Sequence, residues 1–178
     1  MRIHKLLANR GICSRRKAEE LVEQGKVMVN DTLAVTGQKV DPQSDRIKVG
    51  GKLLPLSPPK AICLLLNKPR GYVCTNEDPR EPRTVFDLLP KRYRKARLFC
   101  AGRLDKETEG LVVLTNDGDL AQLLTHPSSE TQKVYQADLS KPFDAQHLSL
   151  LRRGKIVQGE RLWLDKVILV GKKAARPS

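Results

Sequence analysis

Residues 101–119 read AGRLDKETEGLVVLTNDGD, and the reading of this stretch sets the expected fold. Leu111-Val112-Val113-Leu114 is a short apolar run, β-branched in part, with turn residues on both sides. That length and composition predict a buried β-strand. Asn116-Asp117-Gly118 follows, a combination that tolerates positive φ and so predicts a tight turn. Asp105 then falls on a polar loop just before a core strand, where a rigid scaffold can present its carboxylate. A lone aspartate in a loop is ordinarily a turn or cap residue, so its chemistry has to come from what surrounds it.

Upstream, Ile62-Cys63-Leu64-Leu65-Leu66 is a continuous apolar run that predicts a central strand, and Asn67-Lys68-Pro69-Arg70-Gly71 turns out of it. Residues 76–97 predict a loop with a short helix. Between Arg80 and Arg103 stand eight basic residues (Arg80, Arg83, Lys91, Arg92, Arg94, Lys95, Arg97, Arg103) against two acids, Glu81 and Asp87. Such an excess suits a phosphodiester backbone better than a solvated loop. Downstream, Leu120, Leu123 and Leu124 form a helical stripe that Thr125-His126-Pro127-Ser128 ends. Residues 133–139 alternate like a strand, 144–155 look helical, and 157–170 predict a hairpin with Trp163 inward and Gly159-Glu160 at its turn.

Toward the N-terminus, Ile3, Leu6, Leu7 and then Ala18, Leu21, Val22 recur at helical spacing, predicting two helices over residues 2–25. Gly11 and Gly25 end them, and Ser14 is a suitable N-cap for the second. A strand running into a turn is expected over 26–31 and a second strand at 45–49. The Pro- and Gly-rich stretch GGKLLPLSPPK, residues 50–60, marks a linker. The expected organisation is an N-terminal domain at 1–49, that linker, and a second domain at 61–178.

A length of 178 residues allows a small domain joined to part of a larger one, and 39% hydrophobic content suffices for a core. With 4% aromatics that core must be largely aliphatic. A net charge of +13 and pI near 9.9 point to a polyanionic partner. Nucleic acid is favoured over a membrane, since the sequence holds no long apolar span and no basic amphipathic helix with aromatic anchors. Cys13, Cys63, Cys74 and Cys100 show no CxxC pairing and read as reduced thiols. His4, His126 and His147 share no ligand spacing, so no metal is expected. The N-terminus is charged throughout without an apolar signal core, which predicts a cytoplasmic protein.

The pattern G-R-L-D-x-x-T-x-G-L, continued to T-N-D-G, is carried by Gly102, Arg103, Leu104, Asp105, Thr108, Gly110, Leu111 and the residues 115–118. It resembles the active-site motif of the RsuA-type pseudouridine synthases acting on ribosomal RNA. Residues LLLNKPRGYVCT resemble the same family's first motif, a strand followed by Lys-Pro-x-Gly, and Lys133-Val134-Tyr135 its Lys-x-Tyr motif. The N-terminal stretch RIHKLLANRGICSRRKAEELVEQGKVMVNDTLA resembles the small RNA-binding domain named after ribosomal protein S-four.

The resemblance implies an α+β protein: a small α/β RNA-binding domain, then a mixed, mostly antiparallel sheet that is incomplete at the C-terminus. The family usually continues into a further basic motif, which is not found before Arg176-Pro177-Ser178. It implies Asp105 as catalytic carboxylate, Arg103 as its ionic partner and Tyr135 as the ring stacking on the base, with Leu104, Lys68 and Pro69 also at the substrate. Arg2, Lys5, Arg10, Arg15, Arg16, Lys17 and Lys26 are the implied RNA-binding residues. Six of these lie within residues 2–17, ahead of the first acid, Glu19, which favours RNA contact over a merely solvated face. Pseudouridine formation breaks a glycosidic bond to nitrogen and rebuilds it to carbon, so the site needs a carboxylate, a cation, a flat partner and exclusion of water. The implied partner is ribosomal RNA, with the target uridine flipped out. No cofactor, no membrane and a monomeric chain are expected. The alternative is an inactive RNA-binding or ribosome-assembly protein that keeps the fold; a generic basic ribosome-associated protein would explain the charge but not the motif.

Overall fold

The computed structural model describes residues 1–76, 83–157 and 159–170. The chain forms two compact units, Met1–Gln132 and a second that begins at Lys133. Arg80 and Glu81, part of the expected basic stretch, lie outside the described residues.

The first unit opens with α1 (Ile3–Asn9) and α2 (Arg15–Glu23). Ser14 caps α2, its hydroxyl accepting from the Lys17 N–H at 3.1 Å. β1 (Val27–Val29) and β2 (Thr32–Leu33) form a hairpin through Asn30 and Asp31. Both turn residues take positive φ, 50° and 64°, as a two-residue hairpin turn requires. β3 (Ile47–Val49) and β4 (Lys52–Leu53) complete an antiparallel sheet in the order β2-β1-β3-β4. Apolar side chains of the helices (Ile3, Leu6, Leu7, Ala18, Val22) and of the sheet (Val27, Val29, Ile47) close one aliphatic core. Gly50 and Gly51, expected to open the linker, are instead the β3–β4 turn, and Leu54 is buried in the same core.

A second antiparallel sheet combines β5 (Cys63–Lys68), β6 (Phe99–Ala101) and β7 (Gly110–Thr115) in the order β5-β7-β6. The central strand is therefore β7, and β5 lies at the edge among the described residues. The apolar run of β5 misled because one face of this sheet is open: Leu64, Leu66 and Lys68 turn inward while Leu65 remains exposed. Residues 111–114 alternate likewise, with Val112 and Leu114 buried and Leu111 exposed. Val85, Leu89 and Leu98 pack beneath, supplied by a segment with two single-turn 3₁₀ helices, Val85–Leu88 and Lys91–Tyr93.

After β7 comes α3 (Gly118–Thr125). The tight turn expected at Asn116-Asp117-Gly118 is a helix start, and none of the three residues takes positive φ. The Asp117 carboxylate accepts from the Asp119 and Leu120 N–H groups at 2.9 and 3.1 Å, so capping won over turn formation.

The second unit holds α4 (His147–Arg153) and a hairpin of β8 (Lys155–Val157) with β9 (Glu160–Leu162). The strand expected at 133–139 is not formed among the described residues, since no ladder partner for it exists within this unit. Trp163, expected inward, is 61% exposed; a two-stranded hairpin alone has no second layer to bury it. No helix among the described residues is long and apolar enough to cross a membrane.

Candidate active site

Asp105 stands on the loop between β6 and β7, with its side chain exposed. The loop is short and polar, so its backbone needs partners from elsewhere. They come from the Lys68-Pro69-Arg70-Gly71 segment at the end of β5. Lys68 faces the core side of β5 and is 0% exposed, although its neighbours on that face are leucines. Its Nζ donates to the carbonyl oxygens of Thr108 (2.7 Å), Pro69 (3.0 Å) and Lys106 (3.1 Å). Those three bonds match the donor capacity of an ammonium, the condition under which such a group can be buried. The Gly71 N–H adds a second bond to the Lys106 carbonyl at 2.8 Å, and the Thr108 N–H closes the loop on the Asp105 carbonyl at 3.1 Å.

The other side of the loop is held by Leu104. Its N–H donates to the buried Cys74 Sγ at 3.4 Å. A Cβ on Gly110 would approach the Leu104 side chain to 3.6 Å, and Gly110 has φ 140°, so β7 begins where glycine is the unstrained choice. Behind Cys74 lies Cys100, whose thiol burial pushes up to about 12, with Cys74 adding to the shift. All four cysteines are free thiols.

At the far end of β7 the motif residues Thr115, Asn116 and Asp117 form a clasp. The fully buried Thr115 hydroxyl donates to the Ile62 carbonyl at 2.7 Å and accepts from the Asp117 N–H at 3.0 Å. Asn116 accepts from the Ile62 N–H at 2.8 Å and donates to the Lys60 carbonyl at 2.9 Å. These residues tie the chain entering β5 to the strand that carries the Asp105 loop.

Among the expected site residues, the fold brings Asp105, Leu104, Arg103, Lys68 and Pro69 to one end of the second sheet. Arg103 is exposed, and among the described residues no ion pair joins it to Asp105. Tyr135 belongs to the unit beginning at Lys133 and is 65% exposed. Lys106 and Cys74, which hold the loop through a backbone oxygen and a sulfur, escaped the sequence reading, and Thr108 stood there only as a motif position. Lys68 was the available signal, a lone cation at the end of a leucine run.

The basic residues of the N-terminal domain divide in use. Arg15, Arg16 and Lys26 are exposed. Lys17 pairs with Glu20 at 2.7 Å, a surface pair one helical turn apart. Arg2 donates to the Gly37 carbonyl at 3.2 Å, and Lys5 pairs with Asp119 of α3 at 2.9 Å. Arg10 is partly buried beside the C-terminus of α1. No group of three or more metal-ligating side chains occurs among the described residues.

An antiparallel sheet thus presents a pinned aspartate loop, and a basic helical domain precedes it in the chain. The family model for RNA pseudouridylate synthase matches residues 62–159, and that for the S4 domain matches residues 1–53. The chain belongs to the RNA pseudouridylate synthase family.

Among its relatives, a protein of Arabidopsis thaliana named as a chloroplastic ribosomal large subunit pseudouridine synthase is 39% identical over 183 residues, covering 97% of this chain and 44% of that protein. Ribosomal large subunit pseudouridine synthase B of Haemophilus influenzae is 38% identical over 157 residues, covering 86% of this chain and 44% of that protein. The chain thus spans less than half the length of these two relatives. A crystal structure of a pseudouridylate synthase superposes with a TM-score of 0.52 at 26% identity, over 90% of this chain and 67% of that one.

Proposed function

We propose that this chain carries the pseudouridine synthase reaction on ribosomal RNA, with Asp105 as the catalytic carboxylate. The observation that supports this most is the pinning of the Asp105 loop by the buried Lys68 ammonium. A cation held with no solvent access serves to fix a loop, and the side chain so presented is the exposed carboxylate. In the reaction the C1′–N1 bond of uridine breaks, the base turns and C1′–C5 forms; C5 releases its proton to solvent and N1 takes one up, so the product is an isomer of uridine. Asp105 either attacks covalently or takes a proton from the sugar. Arg103 supplies the cation that orients it, Tyr135 stacks on the flipped base, and Leu104 and Pro69 line the approach. Lys68 acts through the loop and does not touch substrate.

The exposed Arg15, Arg16 and Lys26 of residues 1–49 grip the RNA, while the part from residue 61 performs the chemistry. The relatives' names point to the large ribosomal subunit RNA as substrate, and such a substrate implies a location with the ribosomes. Tritium release from RNA labelled at uridine C5 tests the reading. The wild-type chain should release tritium from a large-subunit transcript and Asp105→Asn should release none. Binding of the transcript without release by wild type would replace the enzyme reading with that of an RNA-binding protein.

A further inference from the structure

A cleft lies at the opposite end of β7 from Asp105. It has a volume of about 720 Å³ and lies between the α1–α2 pair and the β6–β7–α3 layer, within the unit Met1–Gln132. That volume lies in the range of a ligand site. One wall carries Asn9 and Arg15, the other Arg97, Phe99, Gln122 and His126. No carboxylate lines it among the described residues. Asp119, close in sequence to this wall, is tied to Lys5.

Arg97 is the informative group. It is partly buried, yet it makes no hydrogen bond or ion pair with the described residues. Its unpaired guanidinium nitrogens keep access to solvent, so five donors stand open to an arriving acceptor. Burial pushes the Cys13 thiol in the α1–α2 loop up, and Arg97 lies near enough to offset part of that rise. Arg15 reaches the same cleft from the start of α2, also without a partner among the described residues. The His126 ring accepts from the Ser128 N–H at Nδ1 (3.2 Å), which leaves Nε2–H as a donor. Phe99 offers a partly exposed ring.

Two forked cations from opposite walls, neutral donors and one ring fit the sugar–phosphate backbone of a nucleic acid strand, read without base specificity. Five strand steps from Gly110 to Thr115, at roughly 3.4 Å each, separate this cleft from the Asp105 loop by about 17 Å. We propose that the cleft between Arg15 and Arg97 is an RNA-backbone groove that holds the strand flanking the target uridine, a few nucleotides away. The proposal rests on the reading that the chain handles RNA, but not on the role of Asp105.

The test is fluorescence anisotropy with a fluorescein-labelled twelve-nucleotide oligouridine RNA, across a salt series. Arg97→Ala and Arg15→Ala should each weaken binding about 5–20-fold and lower the log–log salt slope by about 0.7. Arg97→Lys should fall between wild type and Arg97→Ala, because it keeps the charge and loses the fork. Lys52→Ala, which removes an exposed cation on β4, should stay within about twofold of wild type. Circular dichroism melts confirm that each variant is folded, and Arg15→Ala keeps the test decisive if Arg97→Ala is not. Wild-type binding that Arg97→Ala and Arg15→Ala weaken no more than Lys52→Ala does would overturn the groove while leaving the RNA reading intact. No binding by the wild-type chain would overturn both. Phosphate replacing chloride at equal ionic strength should leave the affinity unchanged; displacement of the RNA by it would assign a single-phosphate site and also overturn the groove.

Discussion

Replacing Lys68 by Met keeps the aliphatic stem and removes an ammonium that is 0% exposed and bonded to three carbonyls. Removing one partner of a buried charged cluster typically costs about 3–5 kcal/mol, because the groups left behind stay desolvated. Here the Lys106 carbonyl retains the Gly71 N–H, and only the Pro69 and Thr108 carbonyls lose the contact outright. A net loss of about 2–3 kcal/mol follows, at about 1–3 kcal/mol per orphaned acceptor less some re-solvation. For a unit of this size that corresponds to a fall in Tm of about 6–15 °C. Calorimetry of wild type and Lys68→Met measures it, and hydrogen exchange should show the Gly71 and Thr108 amides losing protection. A Tm within about 2 °C of wild type, with those amides still protected, would refute the claim that this ammonium holds the loop.

Asn116→Ala should lower stability by about 1–2 kcal/mol through loss of its two bonds to residues 60 and 62, read as a shift in denaturant midpoint at constant m. In the N-terminal domain, the backbone N–H of Asp41 and the amide of Asn30 hold the Asp45 carboxyl below the usual carboxylate range. A depressed folded value means stability present above about pH 4 and lost as pH falls below it, so the acid branch of Tm against pH should flatten in Asp45→Asn. Iodoacetamide at pH 8 should label the exposed Cys63 quickly and spare Cys100, whose thiol is pushed up to about 12, until the protein unfolds. Peptide mass spectrometry reads both sites.

Local signals made much of the fold legible. Ser14 and the glycine-terminated apolar repeats placed α1 and α2, and Asn30-Asp31 marked a turn after β1, because caps and turns are decided by neighbours in sequence. The strand after Asp105 was legible for the same reason. What failed depended on distant partners. The leucines of β5 suggested a central strand, but the topology put β7 in the middle and left one face open, so Leu65 and Leu111 are exposed. Residues 133–139 have a strand pattern without a ladder to join in their unit, and Trp163 lacks a layer to pack against.

The candidate site shows the same division. Asp105 and Lys68 stood out by type and place, whereas the acceptors that bind Lys68 are backbone carbonyls, which carry no residue signature. Arg97 was one of eight basic residues in a run, and only the cleft distinguishes it.

The most direct measurement is pseudouridine mapping of ribosomal RNA from three strains: one with the intact gene, one with Asp105→Asn and one with the gene deleted. One large-subunit position should be modified in the first strain and unmodified in both others. An unchanged map in the Asp105→Asn strain would contradict the assignment of Asp105 as the catalytic carboxylate.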